Sequence, residues 1–263
     1  MSFAFDLISD LHLDTWNESI DWTDRATSTH CVIVGDVCHD RGLLTKFLKH
    51  ISTCYQGVFY IDGNDEHKNY IDRLGDSYAD LTHRTSRIPN LVYLQDNVII
   101  VNGVAILGTN GWWGYDLDLT VDSESVKTWL ADKEGYNSVI IETIRKISNI
   151  DANYIVESVR RLQTHLDVKK IVVVTHTVPR ADLISHDPDL VHTEKFNCMG
   201  NRFMQLALDV DTEHKIHTWC FGHYHNKIDQ YRDGVRWVNN CRGRQGSKYS
   251  QWVYNPLRIT VDI

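Results

Sequence analysis

Short apolar runs that stop at turn-forming or polar residues recur at 3–8, 31–34, 58–61, 104–107, 171–175 and 217–221, the pattern of buried strands. Between them, 43–55, 67–81, 138–148 and 152–166 are helix-compatible, so the first half alternates strand and helix. The last third differs, with 227–231, 235–238 and 257–263 predicted as antiparallel strands around the turn Arg232-Asp233-Gly234. From 114 to 150 the strand rhythm gives way to acidic, amphipathic sequence that includes Asp116, Asp118, Asp122, Glu124, Asp132 and Glu134. This predicts a helical insertion, either a solvated helix pair or a lid over an active site. One domain over 1–263 is expected.

The residues just past the apolar runs carry the chemistry. The first run leads into Asp10-Leu11-His12, where side-chain alternation with period two would put a carboxylate and an imidazole on one side of an extended backbone. The second ends in Gly35-Asp36, a flexible glycine before a carboxylate with two oxygens to bridge neighbouring cations. The third ends in Asp62-Gly63-Asn64-Asp65-Glu66-His67, offering an amide oxygen. Much later come Thr175-His176 and Gly222-His223-Tyr224-His225, the second of which presents two imidazoles together. Ligand-type residues at separate strand ends are what an α/β sheet delivers when it gathers its site at the carboxyl edge.

In this order, Asp10-x-His12, Gly35-Asp36, Gly63-Asn64, His176 and Gly222-His223-x-His225 resemble the motifs of calcineurin-like metallophosphoesterases over nearly the whole chain. The stretches Leu94-Gln95-Asp96, Ile106-Leu107-Gly108-Thr109, Asn240-Cys241-Arg242-Gly243 and Asn255-Pro256 are similar to the bacterial and phage single-domain branch. The resemblance implies an α/β fold, a four-layer αββα sandwich of two mixed β-sheets flanked by helices. It also implies two divalent metal ions. Asp10, His12 and His225 would hold the first, Asn64, His176 and His223 the second, and Asp36 would bridge them. Manganese is the expected metal, with iron, zinc, cobalt and nickel as alternatives for such mixed oxygen and nitrogen ligands. Cations about 3.5 to 4 Å apart neutralise a phosphate and lower the pKa of a shared water towards 7. Direct in-line attack by the dimetal-bound hydroxide on a phosphodiester, phosphomonoester or nucleotide is therefore expected.

Several positions depart from that pattern. Where many members have histidine after Gly-Asn, this chain has Asp65, a poor proton donor when ionised. That favours aryl esters, nucleotides or cyclic nucleotides, whose leaving groups depart with little help, and predicts that Asp65→His raises monoesterase activity. His67 and His39 are candidate substitutes for the imidazole, each equally readable as a surface or helix-start histidine. The loop 35–42 resembles the Gly-Asp-x-x-Asp-Arg-Gly loop of protein serine/threonine phosphatases with one residue added. In it, Arg41 either grips a substrate phosphate or pairs with acidic neighbours, and Asp40 is predicted to cap the following helix. Arg242 is a candidate substrate contact and Asn240 a candidate support for it. Trp112 and Trp113 either pack under the insertion or stack on a nucleobase or aryl group.

Composition narrows the partners. A formal net charge of −8 over 263 residues argues against a grip on a long nucleic-acid backbone. A small phosphorylated or nucleotide substrate fits better, with a manganese-dependent nuclease as the alternative and a non-catalytic protein-binding scaffold as a third reading. The cations Arg236, Arg242, Arg244 and Lys248 are either surface groups or substrate contacts. Six scattered cysteines without a C-x-x-C pair predict reduced, mostly buried thiols. No apolar run nears the roughly 20 residues of a membrane helix, and the start lacks signal-peptide regions, so the expectation is a cytoplasmic protein.

Overall fold

The computed structural model describes residues 2–17 and 21–263. Its first sheet orders as β11 (Leu257–Asp262), β1 (Ser2–Ile8), β2 (His30–Val34), β3 (Gly57–Ile61) and β4 (Leu91–Tyr93). The second orders as β5 (Asn97–Val101), β6 (Val104–Thr109), β7 (Lys170–Thr175), β8 (Ile216–Cys220), β10 (Val235–Asn239) and β9 (Ile228–Arg232). Both sheets are mixed. β1 to β4 run parallel, as do β6, β7, β8 and β10, while β11, β5 and β9 pair antiparallel at the edges.

Alternation within the central strands sorts side chains into layers. Phe5, Leu7, Val32, Val34, Phe59 and Ile61 face Ile106, Val172, Val174, Cys220 and Val238 across the gap between sheets. The intervening residues Ile8, Ile33, Val58 and Tyr60 meet Leu44, Phe47, Leu48 and Ile51 of α1 (Arg41–Cys54) and Leu81 of α3 (Leu74–Thr85). On the far side Ala105, Leu107, Ile171 and Val173 pack on Ile155, Val159 and Leu162 of α5 (Ser138–Gln163). The order helix, sheet, sheet, helix is the αββα sandwich. Strands buried on both faces explain why the runs are continuous rather than alternating.

Three elements differ from the sequence reading. The helix-compatible stretches 138–148 and 152–166 form one 26-residue helix, α5. Asp151 in the intervening polar stretch turns inward, and its Oδ2 accepts from the Gly111 and Trp112 N–H groups at 2.9 and 3.0 Å. A polar residue with a buried task therefore mimicked a helix end. The C-terminal strand leaves the β9–β10 hairpin and pairs with β1 in the other sheet. Helix α3 begins after a 3-10 segment at Lys68–Arg73, and a four-residue helix, α2 (Asn64–His67), starts at the end of β3. The stretch 114–150 holds α4 (Ser123–Glu134) and the first part of α5, and Trp112 and Trp113 are buried against Val126, Leu130, Ile140, Ile141 and Ile144 from it. Asp40 caps α1, its carboxylate accepting from Leu43 N–H at 2.7 Å. All six cysteines are free, five of them buried. Among the described residues no helix is long and apolar enough to cross a membrane.

Candidate metal centre

Beyond the strand ends the ladders continue into loops. The N–H groups of Asp10, His12 and Leu13 donate to the carbonyls of Gly35, Asp36 and Val37 at 3.0, 3.0 and 2.8 Å, extending the β1–β2 pairing. His176 N–H donates to Asn110 O at 2.9 Å and Gly222 N–H to His176 O at 2.8 Å, doing the same across β6, β7 and β8. Arg242 and Gly243 donate to the carbonyls of Ser9 and Asp10, both at 3.0 Å, which ties the C-terminal tail to the first loop. The loops carrying Asp10 and His12, Asp36, His176, and His223 and His225 are thereby held at the strand ends.

Convergence does not come from strand alternation. Asp10, His12, Asp36 and His223 all have positive φ, 51°, 44°, 50° and 65°, so the Asp-x-His and His-x-His pairs sit in left-handed turns. Backbone strain of this kind, about 1–3 kcal/mol per residue, persists where the surroundings over-determine it. The glycines serve close approach as much as flexibility. A Cβ on Gly63, whose φ is an ordinary −114°, would lie 2.5 Å from Asp36 N and 2.7 Å from His176 Cε1. One on Gly35 would lie 2.6 Å from His176 Nδ1, and one on Gly222 2.5 Å from Asp10 Oδ2.

Two overlapping ligand groups result. Asp10, His12, Asp36 and His225 offer atoms within 4.8 Å of one another, and so do Asp36, His176 and His223. Asp36 is common to both. Within the first group His12 Nε2 lies 2.9 Å from His225 Nε2 and 3.7 Å from Asp36 Oδ2, and His225 Nε2 lies 3.3 Å from Asp10 Oδ1. In the second, His176 Nε2 is 3.4 Å from Asp36 Oδ1 and 3.2 Å from Asn64 Oδ1. Ligands bound at 2.0–2.2 Å around one small cation stand roughly 3 to 3.5 Å apart, so both groups have the spacing of a coordination shell.

Outer hydrogen bonds turn the right nitrogens inward. His12 Nδ1 meets Asp65 Oδ2 at 2.8 Å and His176 Nδ1 meets Val34 O at 3.0 Å, which leaves Nε2 of each as the lone pair at the centre. His223 is reversed, its Nε2 meeting Cys198 O at 3.1 Å, and its ring stacks on Trp113 at 5.4 Å. Glu66 pins the loops from behind, accepting from the N–H groups of Asp36, Val37 and Gly63 at 3.0, 2.7 and 2.7 Å.

The electrostatics are those of a site built for positive charge. Burial works to raise the Asp36 carboxyl, but His176, His12 and His223 outweigh it and hold it well below the usual range. Burial would likewise depress His176, yet Asp36 and Asp10 carry it up to about 10. His223, pushed down first by burial and then by the His176 cation, falls to about 3 and keeps its lone pair. A proton on His176 thus partly balances two buried carboxylates. Divalent cations would balance them better, and the donor set of imidazole, carboxylate and amide oxygen suits such ions.

No family model matches the sequence. An uncharacterized protein of Acanthamoeba polyphaga mimivirus is 21% identical over 275 residues, covering 94% of each chain. Phosphopantetheinyl hydrolase from Mycobacterium tuberculosis has a similar structure, with a TM-score of 0.67 at 17% identity over 94% of this chain and 93% of that one. A dimetal phosphatase from Danio rerio has a TM-score of 0.52 at 11% identity, over 90% and 86% of the two chains. Both solved structures share the fold of this chain.

Around this candidate centre, four of the expected catalytic contacts are engaged elsewhere. His67 is fully buried, with Nε2 on Asp62 Oδ2 at 2.6 Å and Nδ1 on Ser77 Oγ at 2.8 Å, leaving no nitrogen for a leaving group. His39 is a partly exposed histidine paired with Asp14. Arg41 is buried between Ser77, Asp80 and the Tyr70 ring, so it braces α1 against the segment leading into α3 and α3 itself rather than a phosphate. Arg242 is buried with its guanidinium 3.6 Å over the Trp16 ring. Asp65 is not poised as a proton donor either. It is buried, bonded to His12 and gripped by Arg244 Nη2 at 2.6 and 2.8 Å. Asn240 ties Leu7 O to the tail at 2.8 Å. Sequence reasoning missed Glu66 and passed over Arg244 for Arg242. The capping-box position three residues after Gly63 was the available sign for Glu66.

Proposed function

We infer that this protein is a metal-dependent phosphoester hydrolase. The observation that carries the reading is the pair of ligand groups sharing Asp36, with every orienting hydrogen bond directed so that lone pairs face the shared space. Asp10, His12 and His225 would hold one divalent ion, Asn64, His176 and His223 the other, and Asp36 both. Such ions supply charge neutralisation of a phosphate and a water of lowered pKa. The chain's own part is positional. Asp65 holds His12, Val34 O holds His176, Cys198 O and Trp113 hold His223, and Glu66 holds the backbone of Asp36.

The two imidazoles expected as substitute proton donors, His67 and His39, are committed to Asp62 and Asp14. Substrates whose leaving group departs unprotonated are therefore favoured, such as aryl phosphoesters and the phosphoanhydrides of nucleoside di- and triphosphates. Manganese is the metal to add first. Phosphopantetheinyl hydrolysis, named for the Mycobacterium tuberculosis protein, enters the panel as a further phosphodiester. The test is a substrate panel run with chelator-stripped protein and added manganese, iron, zinc, cobalt or nickel. Hydrolysis that needs metal and is lost in chelator is the expected result. Protein that binds metal ions and cleaves no phosphoester in the panel contradicts the reading.

A further inference from the structure

Four cations of the C-terminal region were candidates for substrate contact, and three are committed elsewhere. Arg236 forms a two-point pair with Asp229 at 2.8 and 2.8 Å, Lys248 reaches Asp189 at 2.6 Å, and Arg242 lies over Trp16. Arg244 reaches Asp65, the partner of the candidate ligand His12. It follows Gly243, whose φ of 78° turns the chain and whose N–H donates to Asp10 O at 3.0 Å, so its backbone is anchored to a metal-ligand loop. Both bonds to Asp65 come from Nη2, and the side chain keeps 40% of its surface exposed beside a 3% exposed carboxylate. Among the described residues no other nitrogen of this guanidinium is engaged, so Nη1 and Nε remain available to an anion.

We propose that Arg244 contacts a non-bridging oxygen of the substrate phosphate, held in position by Asp65, which joins it through one carboxylate to the ligand His12. This rests on the phosphoesterase reading. Asp65 by itself would be a buried negative charge beside an anionic substrate. Paired with Arg244 it becomes a neutral fixture that still presents N–H donors, and a guanidinium fork suits phosphate oxygens. Arginine does not release its proton at working pH, so the group contributes charge and orientation rather than acid catalysis.

The test uses full-length metal-loaded protein as wild type, Arg244→Ala, Arg244→Lys, Asp65→Asn and the Asp65→Asn/Arg244→Ala pair. Inorganic phosphate binding is measured by calorimetry and kcat and KM with p-nitrophenyl phosphate. Arg244→Ala is expected to weaken phosphate binding roughly 10- to 100-fold, with partial rescue by added guanidinium and an intermediate result for Arg244→Lys. The double variant should remain as weak as Arg244→Ala. Recovery of wild-type phosphate binding in the double variant would show that Arg244 merely neutralises Asp65 and would overturn the proposal. So would unchanged phosphate binding in a folded, metal-loaded Arg244→Ala protein. If the wild type itself binds metal but neither phosphate nor any phosphoester, the phosphoesterase reading falls and this inference with it.

Discussion

Replacing Asp65 by histidine separates the structural account from the sequence pattern, because the two predict opposite signs. From the motif alone, an imidazole at 65 restores a proton donor and raises monoesterase activity. In the structure Asp65 is the partner of His12 Nδ1 at 2.8 Å and of Arg244 at 2.6 and 2.8 Å, and it is nearly inaccessible. An imidazole there removes the acceptor that fixes the His12 tautomer and faces Arg244 with a second donor. Loss of such an outer partner weakens metal binding about 10- to 100-fold, or roughly 1.4–2.7 kcal/mol at 1.4 kcal/mol per tenfold. The lost charge-assisted bond to Arg244 adds no more than about 1 kcal/mol, since that side chain is 40% exposed and water screens it. Metal-dependent activity titrations of wild type, Asp65→His and Asp65→Asn measure this. Asp65→His should need at least tenfold more metal for half-maximal activity and show lower p-nitrophenyl phosphatase activity at limiting metal. Asp65→Asn, which keeps an acceptor oxygen for His12, should be milder. Undiminished metal affinity together with a raised monoesterase rate in Asp65→His would refute the reasoning.

Other perturbations test separate parts of the centre. Asp36→Asn should lower turnover by more than about 100-fold and reduce bound metal measured by atomic emission, because one carboxylate is common to both ligand groups. Gly63→Ala places a methyl 2.5 Å from Asp36 N and 2.7 Å from His176 Cε1, an overpacking expected to cost about 1–3 kcal/mol in urea unfolding and to weaken metal binding. At Asp151, burial first and the Asp96 charge second raise the carboxyl to about 7, so the folded state holds its proton more tightly than the unfolded chain near 4. Its stabilising contribution is complete below pH 4 and is lost as pH rises through 7, by an order of magnitude of about 4 kcal/mol. Asp151→Asn, retaining an oxygen for the Gly111 and Trp112 N–H groups, should therefore be more stable than wild type at pH 8 by chelator-treated urea unfolding, and the gap should close toward pH 4.

The strands and the cluster of candidate ligands were legible because each is announced locally. A run such as 171–174 is apolar throughout since β7 is covered on both faces, and the polar Thr175 and His176 that follow stand out against it. Few side chains can ligate a divalent ion, so the candidates Asp10, His12, Asp36, His176, His223 and His225 are conspicuous wherever the chain places them. Local geometry was misread at the same positions. Period-two alternation predicted the pairing of Asp10 with His12, whereas four of the candidate ligands reach the centre through positive φ, a strain held by the surrounding ladders. Likewise Asp151 read as a break in a helix because nothing nearby in sequence reveals the Gly111 and Trp112 amides it serves.

The amino-acid sequence by itself determined the layered α/β class and which side chains could bind metal, for these follow from hydrophobic periodicity and ligand chemistry within a few residues of chain. Only the tertiary structure decided which charged groups surround them. Asp65 and Arg244 are 179 positions apart, Arg41 and Ser77 36, and a side chain's partner across such a distance depends on how loops from different layers pack. The surroundings of His67, Arg41, Arg242 and Arg244 come from burial, hydrogen bonding and ring contacts that no local pattern encodes.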